Sequence, residues 1–345
     1  MPEPLRAALI GYGLAGRVFH GPLLRAAGFD VTAIVTRNAE RRADAARAFP
    51  QARLFDSTDD VWVRRAEFDL AVVATLPGMH APLAMAAVEA GMPVVVEKPF
   101  ALDAAEARRM IDHATSRGVM VIPFHNRRWD SDQLTLRRLI DDGDLGDILR
   151  YESRFERWRP EPDPGKWREA LPPSDGGGLR LDLGTHLVDQ ALTLFGPVDH
   201  VYSEVLSRRG GADDDVFIAL RHRSGVVSHL WAGAMAAAPG PRLRVLGSRA
   251  AFVVDRLDAQ EDQLASGLLP GQEGFGVEEH HRWGRLHRGD AGEPVPSEKG
   301  RWVAFYDTVA RSLRDGEPPP VSAEDAVATL EILDEVRRVA DRRTS

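Results

Sequence analysis

The stretch Ala7-Ala8-Leu9-Ile10-Gly11-Tyr12-Gly13-Leu14-Ala15-Gly16 runs from a short apolar segment directly into glycines spaced GxGxxG. An apolar run of this length reads as a strand, and the amphipathic residues after Gly16 read as a helix. That context raises the glycine pattern to a dinucleotide-binding fingerprint. Each glycine has its own duty. Gly11 makes the tight turn, Gly13 lets the backbone approach a pyrophosphate, and Gly16 lets helix and strand pack closely. The helix start then offers free N–H groups to the anion, with Tyr12 and Leu14 in the same loop.

Working outward, short apolar runs alternate with amphipathic segments up to about residue 122, the pattern of βα units on a parallel sheet. Strands are predicted at 7–11, 31–35, 69–75, 93–97 and 119–123, and helices at 13–27, 39–49, 81–90 and 104–116. The fully apolar runs Leu70-Ala71-Val72-Val73-Ala74 and Val94-Val95-Val96 suit central strands covered on both faces. After Phe124 the pattern changes to strands at 216–221, 226–231, 243–246 and 251–254, joined by Gly/Asp/Ser turns without intervening helices. This predicts an antiparallel sheet. A proline-rich loop spans 159–173, and two helical stretches flank Pro318-Pro319-Pro320. The expected fold is α/β: a dinucleotide-binding domain over 1–123 with a doubly wound parallel sheet, and a substrate and oligomerisation domain over 124–345 with an open, mostly antiparallel sheet.

Composition narrows the class. A chain of 345 residues favours two domains. A formal charge of −8 at pH 7 with scattered arginines argues against nucleic acid. With no cysteine there is no disulfide framework, thiolate metal site or cysteine nucleophile. Met1-Pro2-Glu3-Pro4 does not open a signal peptide, no apolar run reaches membrane-spanning length, and a cytoplasmic enzyme is expected. His280-His281 lack a third ligand at metal spacing, so no metal site is expected. His20, His113 and His222 are read as surface histidines, solvated or satisfied.

The second-strand end selects the cofactor. NAD-binding sites carry an acidic residue there for the ribose 2′-hydroxyl; this chain carries Thr36-Arg37, with Arg41 and Arg42 following. A hydroxyl and guanidinium suit a 2′-phosphate, so NADP is favoured over NAD. The competing reading is that Arg37 stacks on adenine while Asp30 or Glu40 approaches the ribose. Glu97-Lys98-Pro99 falls at the carboxyl end of a central strand, where open α/β sheets bind ligands. A lysine beside a cationic ring has a lowered pKa and can donate to a substrate oxygen. Behind Gly176-Gly177-Gly178, Asp182 and His186 stand one helical turn apart, with Asp189 further along the stripe. A carboxylate and imidazole on one helix face form an acid/base site.

The fingerprint, Glu-Lys-Pro and Gly-Gly-Gly-x-x-x-Asp-x-Gly-x-His, in this order and spacing, resemble the glucose-fructose oxidoreductase/inositol dehydrogenase (Gfo/Idh/MocA) family over essentially the whole chain. Phe19-His20, Asn126-Arg127-Arg128-Trp129-Asp130 and Leu187-Val188-Asp189-Gln190 resemble a bacterial subgroup that includes NADP-dependent scyllo-inositol dehydrogenases. The resemblance implies a Rossmann domain, a second domain with an open antiparallel sheet, and homodimers or homotetramers that pair these sheets. It makes Lys98, Asp182 and His186 catalytic. It also assigns Thr75, His80 and Glu97 to the cofactor side, and Arg127 and Asp189 to a polyol or sugar substrate. Trp158 and Trp167 suit stacking on a sugar face or ordinary loop packing. Two departures stand out. Thr75-Leu76-Pro77 replaces the family's Thr-Pro-Asn, and Arg180-Leu181 replaces an aromatic before the aspartate, which admits an anionic substrate if Arg180 lines the pocket. The resemblance leaves two other functions open: a dinucleotide-binding regulatory protein without chemistry, and an NAD-dependent glycosidase.

Overall fold

A computed structural model describes residues 3–344. The chain packs as two compact units, the first formed by Met1–Asn126, Gln260–Phe275 and Arg301–Val327, the second by Arg127–Ala259, Gly276–Gly300 and Ala328–Ser345. This grouping differs from a single cut at 123/124, and the reason is aromatic packing. Trp302, Phe305 and Tyr306 are fully buried, and their rings meet Phe19, Phe29 and Phe124 at centroid distances of 4.9–6.0 Å. The returning helix Val303–Asp315 is therefore core of the first unit.

That unit holds a six-stranded parallel sheet of β1 (Leu5–Ile10), β2 (Phe29–Val35), β3 (Arg53–Phe55), β4 (Leu70–Val73), β5 (Val94–Val96) and β6 (Val121–Pro123). Their order is β3-β2-β1-β4-β5-β6, the doubly wound Rossmann arrangement. β4, β5 and β6 are buried throughout, as apolar runs covered on both faces must be. β3 was not predicted; at three residues with one buried, it carries too little pattern to detect. The predicted helix at 13–27 begins instead with a π-helical segment, Ala15–His20, followed by an α-helix over Gly21–Ala26.

The second unit carries an eight-stranded sheet: β7 (Ile148–Glu156), β8 (Val198–Leu206), β9 (Asp215–His222), β10 (Val227–Gly233), β11 (Leu243–Gly247), β12 (Ala251–Val254), β13 (Arg285–Arg288) and β14 (Ala291–Pro294). The order is β14-β13-β12-β11-β7-β10-β9-β8. β7 and β10 pair in parallel and every other neighbour pair is antiparallel. β9 and β10 alternate cleanly: Val216, Ile218, Leu220, Leu230 and Ala232 are buried, whereas Phe217, His229 and Trp231 on the opposite face are half-buried. That second face carries an aromatic row, with Phe217 and Trp231 centroids 5.1 Å apart and the Arg154 guanidinium 3.8 Å above Trp231. Among the described residues no helix is long and apolar enough to cross a membrane.

Candidate active site

In the first unit the three glycines divide their work as their chemistry demands. Gly11 has φ +99°, and a Cβ there would overlap the Ala74 carbonyl; a Cβ on Gly16 would overlap the Gly11 carbonyl. Only glycine permits β1, β4 and the first helix to close up this far. Gly13 differs: the nearest atom to a Cβ there would be Arg41 Nη1, at 3.8 Å. The space above its backbone is therefore open and faced by a guanidinium, which fits a pyrophosphate. Tyr12 is buried edge-on against Phe49, at 6.2 Å, so its contribution to the loop is backbone, while Leu14 is exposed.

At the end of β2, Thr36 is buried and its N–H donates to Phe55 of β3, leaving Arg37 exposed. Asn38 caps the helix Ala39–Ala48 by accepting from Arg41 N–H at 2.9 Å. The cap turns Arg41 toward Gly13. Arg42 turns elsewhere, donating to Asp56 at 2.7 Å and to the Leu54 carbonyl at 3.0 Å.

Lys98 follows β5, half-buried, with a cis peptide to Pro99. Its backbone N–H donates to Glu97 Oε2 at 2.7 Å. Glu97 Oε1 lies 3.3 Å from His20 Nε2, and His20 Nδ1 lies 2.6 Å from the Tyr306 hydroxyl. Burial alone would raise the Glu97 carboxyl, but the His20 contact and the Lys98 charge hold it below its ordinary value. Burial and the Glu97 charge push the Tyr306 phenol well up, so it stays protonated. The tautomer that accepts the Tyr306 O–H at Nδ1 turns its Nε2–H toward the Glu97 carboxylate. His20 is thus a buried brace and not a surface histidine. His222 is likewise buried, between the Gly196 carbonyl and the Ser228 hydroxyl, each at 2.8 Å. His80 is buried with Nδ1 2.7 Å from the Pro99 carbonyl and Nε2 3.2 Å from that of Thr75. Its ring ties the end of β4 to the Lys98-Pro99 turn, and burial lowers its pKa.

In the second unit the glycine run accommodates the chain itself. A Cβ on Gly177 would overlap the Leu171 carbonyl, and one on Gly178, at φ +97°, would overlap the Asp213 carboxylate. Asp213 caps the next helix, accepting from Leu179 N–H (2.9 Å) through its carbonyl and from Arg180 N–H (2.6 Å) through its side chain. The single helix expected for Asp182 and His186 is two, Leu179–Asp182 and Gly184–Phe195, interrupted at Leu183. Helical bonding runs on across the break, from Leu183 N–H to Leu179 and from Leu187 N–H to Leu183. Asp182 and His186 are both buried. The Asp182 carboxylate sits 2.8 Å from Arg168 Nε, and the His186 ring lies 6.1 Å from Phe155.

The same Phe155 ring carries Arg127 at 5.2 Å and Arg242 at 4.2 Å. Arg127 also meets Asp130 at 3.3 Å. Gln190 donates to the Arg127 carbonyl and accepts from Arg242, at 3.2 and 3.1 Å. Asp189 is clasped by Arg128 through contacts of 2.6, 3.0 and 3.2 Å. Arg180 is buried and donates to the Leu333 carbonyl at 3.2 Å. Through that bond it packs against Leu333 of the same unit. Trp158 is exposed and Trp167 half-buried, each in the loop after β7. Sequence reading did not single out Arg168 or Arg242, and it met Gln190, one turn beyond His186, only within Leu187-Val188-Asp189-Gln190.

A GxGxxG loop on a parallel sheet of order 3-2-1-4-5-6 is the dinucleotide-binding arrangement of nicotinamide-dependent oxidoreductases, and the second unit holds a buried carboxylate and imidazole one helical turn apart. Residues 5–125 match the NAD-binding Rossmann fold of the oxidoreductase family GFO_IDH_MocA, and residues 137–344 match its C-terminal alpha/beta domain. The chain belongs to the Gfo/Idh/MocA oxidoreductase family, and is an NAD(P)-dependent dehydrogenase acting on CH–OH groups. It is 33% identical over 338 residues to the NADP(+) scyllo-inositol 2-dehydrogenase of Bacillus subtilis, covering 96% of this chain and 92% of that protein. D-apiose dehydrogenase of Paraburkholderia graminis is 26% identical over 343 residues, covering 95% and 86%. A solved oxidoreductase structure from Bacillus subtilis superposes with a TM-score of 0.91 at 32% identity, covering 99% and 97% of the two chains.

Proposed function

We propose that this dehydrogenase moves a hydride between NADP and a secondary alcohol or ketone of a cyclitol or sugar, with Lys98, Asp182 and His186 as its catalytic residues. The observation that carries the reading is the buried Asp182/His186 pair, a carboxylate one turn from an imidazole, in a chain whose other unit bears the dinucleotide loop. Cofactor fit is supported by the open backbone at Gly13 with Arg41 facing it. Gly11, Gly13, Gly16, Thr36, Arg37 and Arg41 would hold the dinucleotide, whose nicotinamide supplies hydride transfer when bound. In the oxidative direction the carbinol carbon loses its hydrogen with both bonding electrons, and His186 accepts the hydroxyl proton. Asp182 orients the imidazole and stabilises its charged form. Lys98 donates to the reacting oxygen as its C–O bond gains double-bond character. NADP and a polyol are supported by the Thr36-Arg37 pair and by the Bacillus subtilis relative. A homo-oligomer paired through the open aromatic face belongs to the same reading, with sedimentation velocity as its check.

The test is reduction of NADP and NAD, side by side, across inositols, aldoses and sugar acids, by the wild type and by Arg37→Ala. Turnover of a cyclitol or sugar with NADP is expected. Loss of a charged hydrogen bond should weaken NADP by about 1.5–3 kcal/mol, with NAD much less affected. Equal weakening of both would assign Arg37 to adenine stacking and withdraw the NADP preference. Cofactor binding without turnover anywhere on the panel would discard the dehydrogenase substrate class.

A further inference from the structure

Arg168 stands on the short helix Trp167–Ala170 within the proline-rich loop. Its side chain is 20% exposed and its ion-pair partner Asp182 only 4%, a pairing largely out of water. The loop is fastened separately. The Arg209 guanidinium, 7% exposed, reaches the Arg159 carbonyl at 2.9 Å, Glu169 at 3.2 Å and Asp214 at 2.8 Å. Gly178 N–H donates to the Arg168 carbonyl at 2.8 Å. Arg168 is therefore tied through its backbone to the start of the Asp182 segment and through its side chain to the carboxylate. An ion pair anchored at both ends loses little side-chain entropy on forming, unlike an exposed surface pair.

An aspartate beside a histidine raises the imidazole pKa, whereas a base for an alcohol proton must be neutral at the working pH. A guanidinium on the same carboxylate takes back part of that rise. We propose that Arg168 is a positioning residue: it fixes the Asp182 carboxylate and shares its charge, so that His186 stays in its proton-accepting form to lower pH. This rests on Asp182 and His186 acting as the proton-transfer pair.

The elements packed on this segment carry further polar and charged groups. β7 carries Tyr151 and carries Phe155, which meets the His186 ring and lies under Arg127 and Arg242; Arg242 is itself 3.4 Å from Asp132. The helix of His186 brings Asp189, held by Arg128. The turn before β9 brings Asp213 beside Arg180, while β9 and β10 present buried Val216, Ile218, Leu230 and Ala232. Arg168→Met and Arg168→Gln leave the identity of all these groups unchanged, so what the variants remove is the Arg168 charge.

The experiment is an NMR pH titration of the full chain with labelled histidine, His186 being assigned by its loss in His186→Gln. In Arg168→Met the His186 midpoint should rise by roughly one pH unit, as expected for removal of one nearby charge. Arg168→Lys should stay near wild type. Arg168→Gln keeps a donor without charge and should follow Met; it serves in its place if the Met variant does not fold. An unmoved midpoint in a folded charge-neutral variant overturns the proposal. Turnover of Asp182→Asn and His186→Gln separates the two readings. If both retain turnover, the proton-transfer assignment falls and this proposal with it. If both lose turnover and the midpoint is unmoved, Arg168 alone is discarded.

Discussion

Lys98→Ala should lower kcat by about two to four orders of magnitude while leaving NADP binding within a few-fold of wild type. The geometry explains why the loss should be confined to chemistry. Truncation at Cβ leaves the Lys98 N–H donating to Glu97, and leaves Glu97 beside His20 and Tyr306. The turn after β5 thus keeps its anchors, and the glycine loop after β1 is untouched. What disappears is a half-buried ammonium at the carboxyl end of a central strand. A donor whose hydrogen bond strengthens as the substrate oxygen changes character acts on kcat, whereas uniform binding acts on KM. Steady-state kinetics with the best substrate, fluorescence titration of NADPH and a melting curve check the three arms. Unaltered kcat would remove Lys98 from the mechanism. A parallel fall in NADPH affinity and melting temperature would make it a fold residue.

The first unit was legible because its signals are local. A fully apolar run can only be a covered strand, and three glycines at fixed spacing serve one turn, so the loop at Gly11–Gly16 and the strands around it stand where the sequence placed them. What escaped has little sequence pattern. β3 is too short, and the membership of Trp302, Phe305 and Tyr306 in the first core depends on contacts with Phe19, His20 and Phe124, far away in sequence. In the second unit the spacing of Asp182 and His186 was visible, but the partners that fix their surroundings were not. Arg168 is one arginine in a loop, and nothing in its neighbours marks it as the partner of a buried carboxylate. The glycines before Asp182 leave room for Leu171 and Asp213 of the same chain, a use that no local pattern marks.

Arg128→Ala should destabilise the protein by about 3–5 kcal/mol, the largest stability effect expected of any substitution at the candidate site. Arg128 and Asp189 are 10% and 3% exposed at their side chains and share a bidentate contact. Removing the guanidinium leaves a desolvated carboxylate whose attraction no longer offsets its lost hydration. Arg137 compensates only in part: burial pulls its own pKa down and Arg128 adds to this, with Asp189 opposing both. Replacing the two together by apolar residues of similar volume, Arg128→Met with Asp189→Leu, should cost much less than Arg128→Ala alone, because neither charge is then stranded. Denaturant unfolding of the two variants decides this, and a cost below about 1 kcal/mol for Arg128→Ala would show the pair to be idle. The same comparison bears on Asp189 as a substrate residue. A carboxylate whose main task is to answer Arg128 loses stability in Asp189→Asn at nearly constant KM, whereas one that receives sugar hydroxyls raises KM and leaves the unfolding midpoint near wild type. The contacts to Arg128 occupy both Asp189 oxygens, which favours the first outcome.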